Sequence, residues 1–324
     1  MTRYVSRRLG FLLLTLLITS IIVFGITQLL PGDVCRTILG REAGDSALDN
    51  CREELGLNDP APVQYLNWLV NFVQGDWGES FSTQSGIRPL VMQRLRNSLR
   101  LAAVALVFAV PLAVALGVWA GLNENKAIDN VISVGSLSVV GLPEFVTGLV
   151  LIQLFAFTIN DWLDETFGLR PFLANSSIEP EASFGEALPA LILPALTATL
   201  VLLAYIARLT RAGVIEELKQ PYVRTATLKG LPRRTVVVKH VLRNALLPTI
   251  TVIAISAGWL ISGLIVIENV FNYPGLGRML VFAIDRRDLP LMQALVMVTV
   301  LAFALANLAA DLMYAWLNPR IRLN

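Results

Sequence analysis

The chain has 324 residues, of which 55% are hydrophobic and 15% charged, with a formal net charge of +2. A soluble domain carries roughly 25% charged residues, so a water-soluble fold of this length would lack the polar surface to cover itself. The near-neutral balance gives no basis for nucleic-acid binding, and the apolar residues gather in long runs, the pattern a bilayer demands of a spanning chain.

The first run, residues 9–30, would cover about 33 Å as a helix, against a hydrocarbon core of about 30 Å. Arg3, Arg7 and Arg8 precede it, as they would in a signal peptide. The run is long for that role, however, no small-residue cleavage site follows, and Gly32-Asp33-Val34 before Cys35 is a poor lipoprotein site. An uncleaved first span is expected. Five more are expected at 99–120, 131–158, 188–207, 246–267 and 290–316, each bounded by charged or turn-forming residues. The third and sixth exceed what the bilayer needs, so they must tilt, extend past the interface or contain an interruption. Pro143, Pro194 and Pro248 fall inside these runs, where neighbouring helices can satisfy the backbone groups a kink frees.

With both termini inside, the inside segments carry 15 Lys and Arg over 64 residues and the outside segments 10 over 117. That asymmetry orients the termini to the cytoplasm. The expected organisation is an N-terminus and first span over residues 1–30, an extracytoplasmic loop or cap over 31–97, and a five-helix core over 98–324 with a cytoplasmic segment at 208–245. Within the cap, residues 64–73 have the pattern of an amphipathic interfacial helix carrying Trp68 and Phe72. Cys35 and Cys51, the only cysteines, share this loop. An oxidising compartment would permit a disulfide between them, the alternative being two free thiols.

Hydrolytic chemistry has little to work with. His240 is the only histidine and sits in a basic segment; no H-E-x-x-H, C-x-x-C or G-x-S-x-G occurs, and no metal site is expected. No G-x-x-x-x-G-K-[ST] loop is present either, so a nucleotide serving this protein must be bound by another chain.

The cytoplasmic segment 208–245 is too polar to span yet patterned. Pro221 can open a helix, because its missing N–H would be unsatisfied in the first turn anyway, and Gly230 can end one through positive φ. Between them lie Tyr222, Arg224, Thr225, Ala226, Lys229 and then Leu231. Ala226 and Gly230, four apart, are expected to share a small-residue face that a partner could approach closely. The plainer reading is a basic loop that enforces topology and touches anionic lipid headgroups.

Spacing favours the first reading: Arg224-Thr225-Ala226 followed by Gly230 resembles the E-A-A-x-x-x-G run of ABC-importer permeases, with Arg224 in place of Glu. Further blocks resemble the dipeptide/oligopeptide/nickel permease family in order along nearly the whole chain: Arg7-Arg8-Leu9 through Leu30-Pro31-Gly32-Asp33, Gly75-Asp76-Trp77-Gly78-Glu79-Ser80, Leu142-Pro143-Glu144-Phe145-Val146, Arg243-Asn244-Ala245-Leu246-Leu247-Pro248, and Glu268-Asn269-Val270-Phe271-Asn272-Tyr273-Pro274-Gly275-Leu276-Gly277-Arg278, then Arg286-Arg287-Asp288. The resemblance implies an all-α, six-helix importer permease that pairs with a homologous second permease, two ATPase subunits or a fused ATPase, and an extracytoplasmic substrate-binding protein. It implies that Tyr222 to Leu231 dock on the ATPase, that ATP and Mg belong to the ATPases, and that this chain binds no cofactor. Peptides are the expected substrates by family frequency, with nickel or another chelate as the alternative.

Ionisable groups at membrane depth single out Glu144, Glu268 and Asp311. Glu144, beside Pro143, is a candidate to line the pore. Glu268 is a candidate for the substrate path or, more simply, a cap or interhelical salt bridge. Asp311, near the cytoplasmic end, is expected to pair with a basic loop residue. Two other classes find less support: an ion-coupled secondary transporter would show inverted repeats and mid-span carboxylate pairs, and an intramembrane enzyme would need a nucleophile and base at matching depth.

Overall fold

The computed structural model describes residues 2–29, 34–40, 42–54, 56–179 and 182–317. Leu30 with the Pro31-Gly32-Asp33 block, Glu181, and the C-terminal arginines counted in the charge asymmetry lie outside them. The described residues are mostly helical, and six helices are long and apolar enough to cross a membrane: Val5–Leu29, Ile87–Leu122, Glu144–Phe167, Phe184–Leu218, Arg233–Leu260 and Leu289–Leu312. They are called spans one to six below.

The third run takes one of the forms its length allowed, an interruption, and the span itself shifts to Glu144–Phe167. The run at 131–158 is not one helix: Ala127–Gly141 ends, Leu142 is extended at φ −92°, ψ 133°, and a new helix starts at Glu144 after Pro143. The cause is local, since the ring of Pro143 clashes with a helical backbone at the residue before it. The first piece, 15 residues long, would reach only about 22 Å, short of the hydrocarbon thickness. A π-helical stretch, Ile152–Ile159, follows within span three.

Spans two and four form the centre. Ala102, Ala105, Ala109 and Ala113 of span two are buried at three- and four-residue intervals, together with Ala195, Ala198, Leu202 and Ile206 of span four. Small residues let the two backbones approach, which is how helices associate where lipid gives no hydrophobic drive. Thr199 donates to the carbonyl of Ala105 (3.3 Å), and Thr210 meets Thr249 of span five (3.3 Å).

Span four is helical well past the predicted end at 207 and carries part of the cytoplasmic segment as a rigid rod to Leu218. Its N-terminal end is fixed by a capping box, Ser183 accepting from the backbone N–H of Glu186 while Glu186 accepts from that of Ser183. Span one is attached mainly by polar pins: Arg8 to Asp311 (2.9 Å), Ser20 to Tyr65 (2.8 Å), and Thr27 accepting from Gln293 (2.7 Å). Asp311 thus finds its cation on span one.

The expected amphipathic segment is the helix Ala61–Gln74, whose Tyr65, Trp68 and Phe72 run with Phe24 and Trp77 in a chain of ring contacts 5.1–6.2 Å apart. Beside it, Cys35 and Cys51 are joined as a disulfide with Cα atoms 5.9 Å apart, tying Val34–Leu39 to Asp45–Glu54.

Candidate functional site

The helix expected between Pro221 and Gly230 occupies Pro221–Leu228, with Pro221 in the first turn and Gly230 at φ +77° beyond its end. It is stitched to both flanking spans through one side chain. The Tyr222 hydroxyl donates to the carboxylate of Glu217 at the end of span four, lies 3.3 Å from the carbonyl of His240, and accepts from Asn244 Nδ2 at 3.1 Å in span five. Burial, and then the bond to Glu217, hold the phenol above its usual range.

The helix has two unlike faces. Val223 and Ala226 are buried against Val214, Val236, Val241 and Ala245. This corrects the expected face: Ala226 packs on its own chain, and no small-residue surface shared with Gly230 is open to a partner. The i, i+3 spacing of Val223 and Ala226 marks the inner stripe. Arg224, Thr225 and Lys229 are exposed, with Leu228 79% and Leu231 38% exposed. Arg224 and Lys229 make no hydrogen bond or ion pair among the described residues, while Thr225 returns its hydroxyl to the carbonyl of Pro221 at 3.0 Å. Leu228 was absent from the candidate residues, yet it is the largest apolar side chain this helix offers outward. The signal for it was its place four residues after Arg224, opposite the Val223–Ala226 stripe.

The support beneath this helix includes a charged pair that sequence reading also missed. Asp129 is buried, and both its carboxylate oxygens accept from the guanidinium of Arg211 in span four, Nη2 to Oδ2 at 2.7 Å. The Asn125 N–H adds a bond at 2.9 Å. The guanidinium pulls the carboxyl down to about 2. Lys219 pairs with Glu124 at 3.1 Å, so two cations of the span-four rod hold the turn after span two.

On the opposite side of the bundle, Glu268 is 1% exposed. Its carboxylate accepts from Ser98 Oγ (2.5 Å) in span two and from the backbone N–H groups of Gly277 (2.7 Å) and Arg278 (3.1 Å). Ser98 also accepts from Leu276 N (2.8 Å), Tyr273 donates to Asn97 O (2.8 Å), and Asn97 Nδ2 donates to Pro274 O (3.0 Å). The block Glu268 to Arg278 is therefore a clamp that caps the helix Leu276–Asp285 and fastens it to span two. Glu268 is turned into this clamp rather than toward a path. Gly277 is required by close approach: a Cβ there would lie 2.5 Å from Ile265 Cα.

Asp288 plays a similar part next door, 0% exposed, accepting from Ser80 Oγ (2.6 Å) and Ser82 N (2.9 Å), with Leu291 N at 3.3 Å. It joins the Gly75 to Ser80 block to the start of span six. Glu144 is half-buried in the first turn after the break in span three, and its Oε2 is buried without a partner.

The chain matches known proteins along its length. Residues 1–102 match the family described as binding-protein-dependent transport system membrane component, N-terminal, and residues 113–323 match binding-protein-dependent transport system inner membrane component. The glutathione transport system permease protein GsiC of Escherichia coli strain K12 is 37% identical over 322 residues, covering 99% of each chain. Its namesakes in Pectobacterium atrosepticum and Salmonella typhi are 37% and 36% identical over the same span of 322 residues. An all-helical chain with six candidate spans, matched from end to end in this way, belongs to the binding-protein-dependent inner-membrane component family: it is a multi-pass permease subunit of an ABC importer in the bacterial cytoplasmic membrane.

Proposed function

We propose that this permease forms half of a translocation pore for peptides and takes its drive from ATPase subunits through the helix Pro221–Leu228. The observation that carries the coupling role is the division of that helix into an inner face packed on the ends of spans four and five and an exposed outer face of Arg224, Thr225, Leu228 and Lys229, whose two cations pair with no described residue. A push on such a helix passes directly to both spans, because Tyr222 bonds to each. Both termini and this helix lie on the cytoplasmic side in this reading, supported by the clustering of Lys and Arg in 208–245. ATP and Mg are held by the partner ATPases, a second homologous permease completes the pore, and a binding protein delivers substrate outside. The peptide assignment rests on the sequence resemblance and on relatives named for transport of glutathione, itself a tripeptide-like molecule.

The test is Gly230→Glu in the reconstituted transporter. No atom lies within 4 Å of a Cβ at Gly230, so the change leaves packing intact but imposes a side chain on a backbone at φ +77° and adds an acid beside the outer face. The protein should insert and accumulate normally while binding-protein-stimulated ATP hydrolysis falls at least tenfold. Normal subunit stoichiometry with normal stimulated hydrolysis would remove this helix from coupling. A contact with lipid headgroups alone predicts only a small effect from one added acid.

A further inference from the structure

The outer end of span two carries four arginines, Arg88, Arg94, Arg96 and Arg100, and the clamp beside it adds Arg278. Among them Arg94 is distinctive. Its side chain is half-buried and makes no hydrogen bond among the described residues, and its Nε is shielded from solvent without a partner. A guanidinium carries five N–H donors and stays charged in proteins, and a buried charge is ordinarily paired. Its electrostatic neighbours are Arg278, which repels it, and Glu268, which attracts it. Neither can satisfy it. Glu268 is committed to Ser98, Gly277 and Arg278 N–H, and the Arg278 side chain donates to the carbonyl of Asn272 at 2.7 Å. Two guanidiniums thus share one carboxylate that hydrogen-bonds neither side chain, leaving excess positive charge and one shielded, unused donor, Arg94 Nε.

The site stands at the membrane edge. Span two is 36 residues long, about 54 Å, whereas the hydrocarbon needs only about 20 residues. Arg94 lies on the overhang, one turn before Asn97 and Ser98, where the clamp grips. A planar fork of donors in such surroundings matches a carboxylate, which can accept two parallel bonds from it. We propose that Arg94 is a specificity-determining residue that receives the free carboxylate of the transported peptide at the outer mouth, with Arg278 supplying second-charge attraction. This rests on the reading of the substrate as a peptide.

The test uses the complete transporter, with its ATPases and binding protein, in vesicles, and compares uptake of trialanine with uptake of its C-terminal amide by wild type, Arg94→Gln and Arg94→Lys. Arg94→Gln should lower uptake of the acid by roughly tenfold, the weight of one charge-assisted hydrogen bond, while uptake of the amide stays within about twofold. Arg94→Lys should recover part of the difference, since it restores charge but not the fork. Equal loss of both peptides would assign Arg94 a structural role and overturn the proposal. So would an unchanged ratio, or a loss traced to weaker binding of the binding protein, whose own carboxylate would then be the partner. An independent arm separates this site from the peptide reading: acetate, but not acetamide, should raise the unfolding midpoint of the purified wild-type complex and not of Arg94→Gln. If wild type takes up neither peptide, the peptide reading falls and the acetate titration alone decides the site; no acetate effect overturns it.

Discussion

Asp129 is the residue whose environment most clearly departs from its ordinary one outside the spans. Held first by Arg211 and secondarily by the Asn125 N–H and Ser133, its carboxyl ionises at about 2 in the folded chain, against 3.8 for the free group. A depressed folded value means that the stabilisation is fully present above pH 4 and is lost as pH falls through about 2. The linked energy is at most about 2 kcal/mol, and less in practice because Arg211 is 30% exposed and screened by water. Between pH 4 and pH 2, the unfolding midpoint of wild type in detergent should therefore fall more steeply than that of Asp129→Asn. Parallel curves for the two proteins would show that the pair contributes nothing to folding.

At the scale of the element, the helix Pro221–Leu228 shows how eight residues are held rigidly without length. An isolated helix of that size is unstable in water, so its order comes from Val223 and Ala226 against the spans and from Tyr222 between Glu217 and Asn244. Tyr222→Phe keeps the ring and removes the bonds. The cost is about 1 kcal/mol, which should speed amide hydrogen exchange over residues 221–229 roughly fivefold and leave the spans unchanged. If ring packing alone ordered the helix, exchange would not change. The same physics explains span three: Pro143 ends one helix and begins another within a continuous apolar stretch, placing Glu144 in a first turn.

For the whole molecule, the spans depend on the bilayer and on polar pins. Span one exposes Leu13 at 65% and Ile21 at 53%, and its contacts through Arg8, Ser20, Phe24, Thr27 and Gln28 fix its register against the rest. The segment following it has no large core; Cys35 and Leu48 are its buried apolar residues among those described. There the Cys35–Cys51 bond, closing a separation of 16 residues, is worth about 3 kcal/mol in the chain-entropy account. Reduction, or Cys35→Ser with Cys51→Ser, should open residues 34–54 to trypsin while residues 87–312 remain protected. Cleavage at the same rate with and without reductant would show that the helices there are ordered by other contacts.

The membrane class, six apolar runs and the proline and glycine that bound the cytoplasmic helix were legible in the sequence, because spanning length, φ preference and missing N–H groups are properties of a residue and its immediate neighbours. Which face of Pro221–Leu228 turns inward was not, since Ala226 and Gly230 suit either a partner or the chain's own spans until Val236, Val241 and Ala245 are brought beneath Ala226. Nor could the sequence reveal that Glu268 is consumed by Ser98 and by backbone 170 or nine residues away, or that Asp129 meets Arg211 across 82 positions. A lone carboxylate at membrane depth invites a functional reading, and only the partners that folding brings within about 3 Å decide between a path residue and a clamp.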